Sequence, residues 1–146
     1  MVIALSSPLM VGVYQDSTLI ESFESFEKTS DALPVLFEKI LHKYQVDTIY
    51  YARGPGSFMA IKVAYIFLKS ISIVKGIDLL GTDGFNFNKF MPIKAHGSFY
   101  FMKENGKIST IKLDKPEKEY KFKLPKLLDR SIFSKENEPL YILPAI

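Results

Sequence analysis

Residues 47–76 read DTIYYARGPGSFMAIKVAYIFLKSISIVKG, and this stretch decides the fold. The β-branched and aromatic residues 47–52 predict a strand. From Ser57 to Lys75 the sequence predicts a helix, and Gly76 suits the left-handed position that follows many helices. A strand, a glycine-rich turn and a helix in direct succession are typical of α/β proteins.

The flanking segments extend this pattern. Three apolar stretches, at residues 2–6, 9–14 and 18–26, predict an antiparallel meander. Leu33, Leu36 and Phe37 begin an amphipathic helix, and residues 77–80 predict a further strand. The resulting order βββαβα, with a closing strand, is the pattern of the ribonuclease H-like core that actin-like ATPases and sugar kinases also use. We therefore predict an α/β core domain over residues 1–84.

The remainder, residues 85–146, has a different character and predicts a small β-rich C-terminal appendage. Asn105-Gly106 lies between two strand-like stretches, 97–103 and 107–113, and is a strong hairpin signal. Residues 120–124 and 140–143 also read as strands.

Composition narrows the functional classes. The chain has 146 residues, no cysteine and two histidines, His42 and His96, so neither a thiolate metal site nor a His-x-x-x-His metalloprotease motif can be assembled. Residues 1–13 lack a basic leader, and no apolar run approaches the roughly 18 residues of a membrane span. We expect a soluble, cytoplasmic protein with no metal site and no membrane contact.

The net charge of +3 is unevenly distributed along the chain. Residues 103–136 contain ten Lys and Arg against six Asp and Glu. This excess indicates either a solvated basic surface or a module that binds RNA.

The turn Arg53-Gly54-Pro55-Gly56-Ser57 is the segment with the clearest functional signal. Free N–H groups at a helix start can bind an anion, and Ser57 can cap the helix. The Gly-Lys-Ser/Thr ending of a Walker A loop is missing, which excludes that kind of phosphate site. Two interpretations of the turn stay open: a different anion site, or a structural connection between strand and helix.

The wider string resembles the bacterial TsaB (YeaZ) family. That family typically shows Gly-Arg-Gly-Pro-Gly-Ser-Phe-Thr-Gly-Leu-Arg, and residues 53–58 match it without a change. Lys62 stands where the family has arginine, while Lys69 and Gly76-Ile77 match later positions. The resemblance covers about residues 28–82. The sequence departs from the family at Ser6, where an aspartate is usual, at Met59-Ala60, and in its shorter C-terminal part, so the chain resembles a reduced member.

The resemblance implies a non-catalytic scaffold subunit. Proteins of this family pair with TsaD, the catalytic subunit of similar fold, and act with the small ATPase TsaE. Together they install a threonylcarbamoyl group on the adenosine beside the anticodon of tRNA. On this reading the chain alone binds no cofactor, ATP or ADP could lie at the subunit joint, and tRNA is reached through the complex.

Residues 58–74 supply an independent argument for a partner, because a helix that is apolar on every side must be covered on every side. Either the first helix and the appendage cover it, or another subunit does, a second copy included. Together with the resemblance, this predicts a partner interface at Leu33, Leu36, Phe37, Ile40, Phe58, Ile61, Lys62, Tyr65, Leu68 and Lys69. On this prediction, Ile61→Asp or Tyr65→Asp blocks pairing and leaves the monomer soluble if those faces are exposed in it; if either variant unfolds, the residue belongs to the core and the interface lies elsewhere.

Two alternatives stay open beside the scaffold subunit. One is a nucleotide-dependent enzyme of the same fold that uses the 53–58 turn on phosphates. The other is an RNA-binding module that uses the basic C-terminal part.

Overall fold

A computed structural model describes residues 1–114 and 121–142 of the chain. Its strands and helices follow the predicted order. In chain order they are β1 (Val2–Ile3), β2 (Leu9–Gln15), β3 (Thr18–Ser25), α1 (Thr29–Lys43), β4 (Thr48–Ala52), α2 (Phe58–Lys75), β5 (Asp78–Thr82), a 3-10 helix (Gly84–Phe87), β6 (Ile93–Lys94), β7 (Phe99–Glu104), β8 (Lys107–Lys112) and a second 3-10 helix (Arg130–Ile132).

A five-stranded sheet with the order β3-β2-β1-β4-β5 forms the centre of the molecule. The first three strands pair antiparallel, which confirms the predicted meander. β4 then pairs parallel to both β1 and β5, and each helix links the strand before it to the next parallel strand. The predicted order βββαβα is confirmed.

The two faces of this sheet are covered by different parts of the chain. Because side chains alternate along a strand, Val2 and Ala4 point to one face while Ile3 and Leu5 point to the other. The first face packs against α1 and α2. The second packs against residues from the C-terminal part, among them Phe85, Phe101, Phe122 and Phe133.

The C-terminal part contains a second, three-stranded antiparallel sheet with the order β6-β7-β8. Asn105 and Gly106, both at positive φ, form the turn between β7 and β8, so the predicted hairpin is confirmed. This sheet shares one hydrophobic cluster with the five-stranded sheet. Because this single cluster extends across residue 84, the predicted division there into a core domain and a C-terminal appendage stays a prediction.

Two predicted strands are wrong in their described parts. Residues 121–124 and 140–142 lie outside any strand, and residues 120 and 143 lie outside the described residues. Phe122 is buried and Leu124 packs against the same cluster, while the Lys123 N–H donates to the Phe87 carbonyl at 2.9 Å. Alternation of apolar residues here reflects burial on one side of the segment and not pairing with a neighbouring strand.

The assignment of a buried and an exposed side to α2 can be tested by substitution. Leu68 is fully buried, at 0% exposure, whereas Ile66, two residues earlier, is 55% exposed. We expect Leu68→Ala to lower the free energy of unfolding by about 2–5 kcal/mol, because it leaves a cavity. Ile66→Ala is the control and should change it by less than about 0.5 kcal/mol. Urea denaturation measures both; equal losses would contradict this assignment of the two faces.

Candidate functional site

One side of α2 is apolar and exposed. Met59, Ile66 and Ile73 recur at helical spacing and are 71%, 55% and 71% exposed, and Val74 beside them is also exposed. Lys62 and Ser70 lie between them on the same side. We call the side chains of Met59, Lys62, Ile66, Ser70, Ile73 and Val74 the outer face of α2.

Other parts of the described chain reach only the margins of this face. The opposite side of the helix is buried: Ala64 and Leu68 pack with the sheet and α1, and Ile61 packs in the cluster that contains Leu5 and Phe85. Phe37 of α1 packs edge-on against Phe67, with ring centroids 5.5 Å apart, and so covers one flank. Tyr141 packs edge-on against Phe58 at the first turn. In residues 1–114 and 121–142, neither α1 nor the C-terminal part covers the outer face.

Five of the residues predicted for a partner interface are buried in the core of the described chain and are not accessible there: Leu33, Phe37, Ile40, Ile61 and Leu68. Apolar periodicity marks both helices correctly, but a helix that is apolar on every side does not reveal which side meets the sheet. Ile61→Asp would place a carboxylate in the core, so the exposed face on which the expectation of a soluble monomer depends is absent at Ile61.

The other five predicted interface residues are accessible. Lys62 and Phe58 are exposed, while Leu36, Tyr65 and Lys69 are half-buried, and the Tyr65 ring stacks on Tyr51 with centroids 6.3 Å apart. Sequence reasoning missed Met59, Ile66, Ile73 and Val74. The signal that could have found them is their position on the same side of the helix as Lys62 and Ser70, the polar residues least suited to a core.

The glycine-rich turn packs tightly on the carboxyl ends of β1 and β5. A Cβ atom on Gly56 would lie 2.6 Å from the carbonyl oxygen of Leu5, and Gly54 has a φ of 130°. The Ser57 N–H donates to Leu5 at 2.9 Å, and the Gly84 N–H donates to Gly54 at 2.8 Å. Both glycines of the turn are therefore required by the packing of the turn itself.

The anion-binding interpretation of the turn stays a prediction. Ser57 caps α2, its hydroxyl accepting from the Ala60 N–H at 3.5 Å, while its own N–H is already bonded to Leu5. Asp83 follows β5 at the same edge of the sheet. Its carboxylate accepts from the Phe85 N–H and pairs with Lys103 at 2.6 Å. Among the described residues, no group of three metal-ligating side chains could hold an ion.

A segment from the C-terminal part, residues 134–141, runs past the end of β5 and over the turn. We call it the crossing segment. Ser134 and Gly81 exchange both backbone hydrogen bonds, at 2.9 and 3.0 Å. The Asn137 side chain donates to the Leu79 carbonyl at 2.8 Å, and the Leu140 N–H donates to the Arg53 carbonyl at 2.9 Å. The crossing segment therefore connects β5, the turn and the start of α2.

The Arg53 side chain also binds the crossing segment. Its Nε donates to the Glu138 carbonyl at 2.7 Å, and its guanidinium lies 3.7 Å from the Glu136 carboxylate. The guanidinium stem lies across Gly81, where a Cβ atom would come within 2.5 Å of it. Beside it the Tyr51 hydroxyl donates to the Asn137 carbonyl, and burial raises the pKa of Tyr51. The first residue of the turn motif thus has a structural role.

A cavity of about 460 Å³ lies at the other end of the sheet, away from the turn. The ends of β2 and α1 and the start of β4 line it, together with Met1, whose amine donates to the Gly12 carbonyl and has a pKa that burial lowers to about 5. Of the predicted site residues only Phe37 and Ile40 border it. Its position separates it from the outer face of α2.

Two known structures are similar to this chain. YeaZ from Pseudomonas aeruginosa matches with a TM-score of 0.61 and 13% identity over 75% of this chain. A second match is a protein of unknown role with similarity to the peptidase YeaZ from Pseudomonas aeruginosa, with a TM-score of 0.58 and 12% identity over 76% of this chain. The chain has the fold of YeaZ.

This likeness is one of fold and is partial in length. The chain covers 61% and 64% of the two structures, so it spans less than two thirds of either. No protein-family model matches the chain, and no curated protein matches it. Among the described residues no helix is both long and apolar enough to cross a membrane.

The contacts of Arg53 lead to a prediction about local stability. We expect Arg53→Ala to speed exchange of the Leu140 amide about tenfold, because the crossing segment loses a charge-assisted hydrogen bond and an ion pair. Arg130→Ala is the control, since Arg130 is exposed and its side chain has no such contact. Hydrogen–deuterium exchange read by NMR measures both; an unchanged Leu140 amide in Arg53→Ala would show that the side chain does not hold the segment.

Proposed function

We propose that this protein is a TsaB-like accessory subunit, which pairs with a TsaD-type catalytic subunit through α2 and supports threonylcarbamoylation of the adenosine beside the anticodon of tRNA. The observation that carries the proposal is the outer face of α2. Four apolar side chains are exposed there on a helix whose other side is fully packed. Exposed apolar patches of this kind are typical of protein–protein contacts.

The fold supports the same proposal. The strand order β3-β2-β1-β4-β5, with β1, β4 and β5 parallel, suits a ribonuclease H-like core of the actin-like ATPase class. In that class a catalytic subunit and a non-catalytic relative can pair through equivalent helices. The match of residues 53–58 to the YeaZ motif adds a likeness of sequence at the point where α2 begins.

The chemistry at the carboxyl ends of the parallel strands supports the proposal of an accessory role. Metal-assisted phosphoryl transfer needs carboxylates near the phosphates. Ser6 and Ser7 follow β1, and Asp83 after β5 is engaged with Lys103 and Phe85. The proposed division of labour leaves catalysis to the TsaD-type subunit and ATP hydrolysis to a TsaE-type ATPase. ATP or ADP would lie at the subunit joint, tRNA would be reached through the complex, and the site of action would be the cytoplasm.

Pairing with the catalytic subunit can be tested at the centre of the outer face. We expect Ile66→Asp to weaken binding to a co-expressed TsaD-type subunit about a hundredfold, since it places a carboxylate in an apolar contact. The monomer should stay folded, because Ile66 is 55% exposed. Co-purification followed by titration calorimetry measures the affinity.

The matched control for this experiment is Leu127→Asp. Leu127 is 71% exposed and lies against the start of β3, away from α2. It should bind the partner like the unchanged chain. The proposal fails if the unchanged chain forms no complex, or if deleting its gene leaves tRNA threonylcarbamoylation intact.

A further inference from the structure

The short loop after the first 3-10 helix presents an aromatic ring to solvent. Phe85 and Phe87, within that helix, are buried in the core at 0% and 6% exposure, whereas Phe90 is 54% exposed. A single exposed apolar residue is common on protein surfaces, so this exposure alone carries no argument. The argument comes from the backbone and from the charges around the ring.

The backbone of this loop is unfavourable for the residues that occupy it. Lys89 and Phe90 both adopt positive φ, at 58° and 60°. This left-handed conformation suits glycine or asparagine, and for a bulky side chain it has an energetic cost. In addition, Asn88 is 2% exposed and its Oδ1 accepts no hydrogen bond from the described residues. Backbone strain and an unpaired buried acceptor together are typical of segments that contact a ligand.

The part of the chain around this loop is basic. Residues 85–114 and 121–126 contain eight lysines against two acidic residues, Glu104 and Asp114. Residues 1–84, by contrast, contain seven Lys and Arg against nine Asp and Glu. The positive charge of the protein is therefore concentrated in the C-terminal part, on the face of the main sheet opposite α1 and α2.

Two of these lysines lie on the segment that packs beside the loop. The Lys123 N–H donates to the Phe87 carbonyl at 2.9 Å, three residues before Phe90. Phe122 is buried, and Lys121 and Lys123 on either side of it are exposed. Neither lysine forms an ion pair with a carboxylate of the described residues. The exposed ring thus has two accessible ammonium groups on the adjacent segment.

An accessible aromatic ring beside lysines suits the chemistry of single-stranded nucleic acid. Bases stack on aromatic side chains, and ammonium groups bind the phosphates that connect the bases. A duplex does not offer the same contacts, because its bases are stacked on one another and their faces are covered. An anionic membrane would also attract the lysines, but membrane binding increases with buried apolar area and a single ring is a small anchor.

We propose that Phe90, Lys121 and Lys123 form a binding surface for single-stranded RNA, in which Phe90 stacks on a base and the two lysines bind neighbouring phosphates. The inference goes beyond the proposed function, in which tRNA is reached through the complex, and rests on that function only in the choice of RNA over DNA. The surface lies on the opposite side of the main sheet from the outer face of α2. One chain can therefore hold RNA and a partner subunit at the same time.

The isolated chain is sufficient to test the inference, so a failure leaves the proposed pairing with a TsaD-type subunit unaffected. We expect the chain to bind a fluorescein-labelled RNA of about ten nucleotides about tenfold more tightly than the same RNA annealed to its complement, at about 50 mM salt. Fluorescence anisotropy measures both affinities. Equal affinity for the two, no binding of the single strand, or tighter binding of the same sequence as DNA overturns the inference. Binding of phosphatidylserine vesicles in place of the single strand assigns the surface to a membrane and also overturns it.

Phe90→Gly separates stacking from folding. Glycine suits the positive φ of this position, so the variant should melt at a temperature close to that of the unchanged chain. We expect it to bind the single strand about tenfold more weakly, because a base loses its stacking partner, and Phe90→Trp to retain binding. Phe26→Ala is the control, since Phe26 is 79% exposed but lies between the exposed Glu24 and Glu27. Unchanged affinity in Phe90→Gly, or an equal loss in Phe26→Ala, contradicts the role of Phe90.

Lys121→Ala/Lys123→Ala tests the phosphate contacts. The logarithm of the binding constant falls with the logarithm of the salt concentration, with a slope of about 0.7 for each phosphate that a single strand has neutralised. The double variant should therefore reduce this slope by about 1.4. Lys39→Ala/Lys75→Ala removes the same charge from exposed positions of α1 and α2 and should leave the slope unchanged. An equal reduction in both variants, or none in the first, shows that overall charge attracts the RNA and overturns the inference.

Discussion

The packing of the glycine-rich turn on Leu5 is the contact on which the rest of the structure depends. Gly56 approaches the Leu5 carbonyl so closely that no larger residue fits, and the Ser57 N–H bonds to the same oxygen. Since Ser57 is also the cap of α2, this contact fixes where the helix starts relative to the sheet. It follows that Ala64 and Leu68 meet the sheet and that Ile66 and Ile73 do not. The backbone contact at the N-terminal end of α2 thus determines which side of the helix is exposed.

Most of the architecture could be predicted from the sequence because local patterns were strong and consistent. Strand β4, the turn and α2 follow one another with no ambiguous residues between them, and Asn105-Gly106 specifies its hairpin. The separation of the helices from the C-terminal part could not be predicted. It depends on which side of each short strand meets which element, and alternation in two- to five-residue strands leaves that choice open.

The sequence predicts a candidate interface on α1 and α2, and half of the residues in that prediction are accessible in the structure. Lys62 and Phe58 are exposed, but in α2 nearly every position is apolar, so hydrophobicity does not separate the buried Leu68 from the exposed Ile66. Only the polar residues carry that information. The role of Arg53 was hidden for another reason: its partners Glu136 and Glu138 are more than 80 residues away in the sequence, and a motif seen locally does not disclose so distant a contact.

The crossing segment has a consequence for biosynthesis. Ribosomes deliver the N-terminal residues first, so all five strands of the main sheet emerge before residues 134–141. During that interval β5 is an open edge strand and the Arg53 guanidinium has none of its final carbonyl and carboxylate neighbours. Unpaired edge strands are prone to pair with other chains. A segment made after all five strands therefore closes an edge of the sheet that is open to aggregation while the chain is still growing.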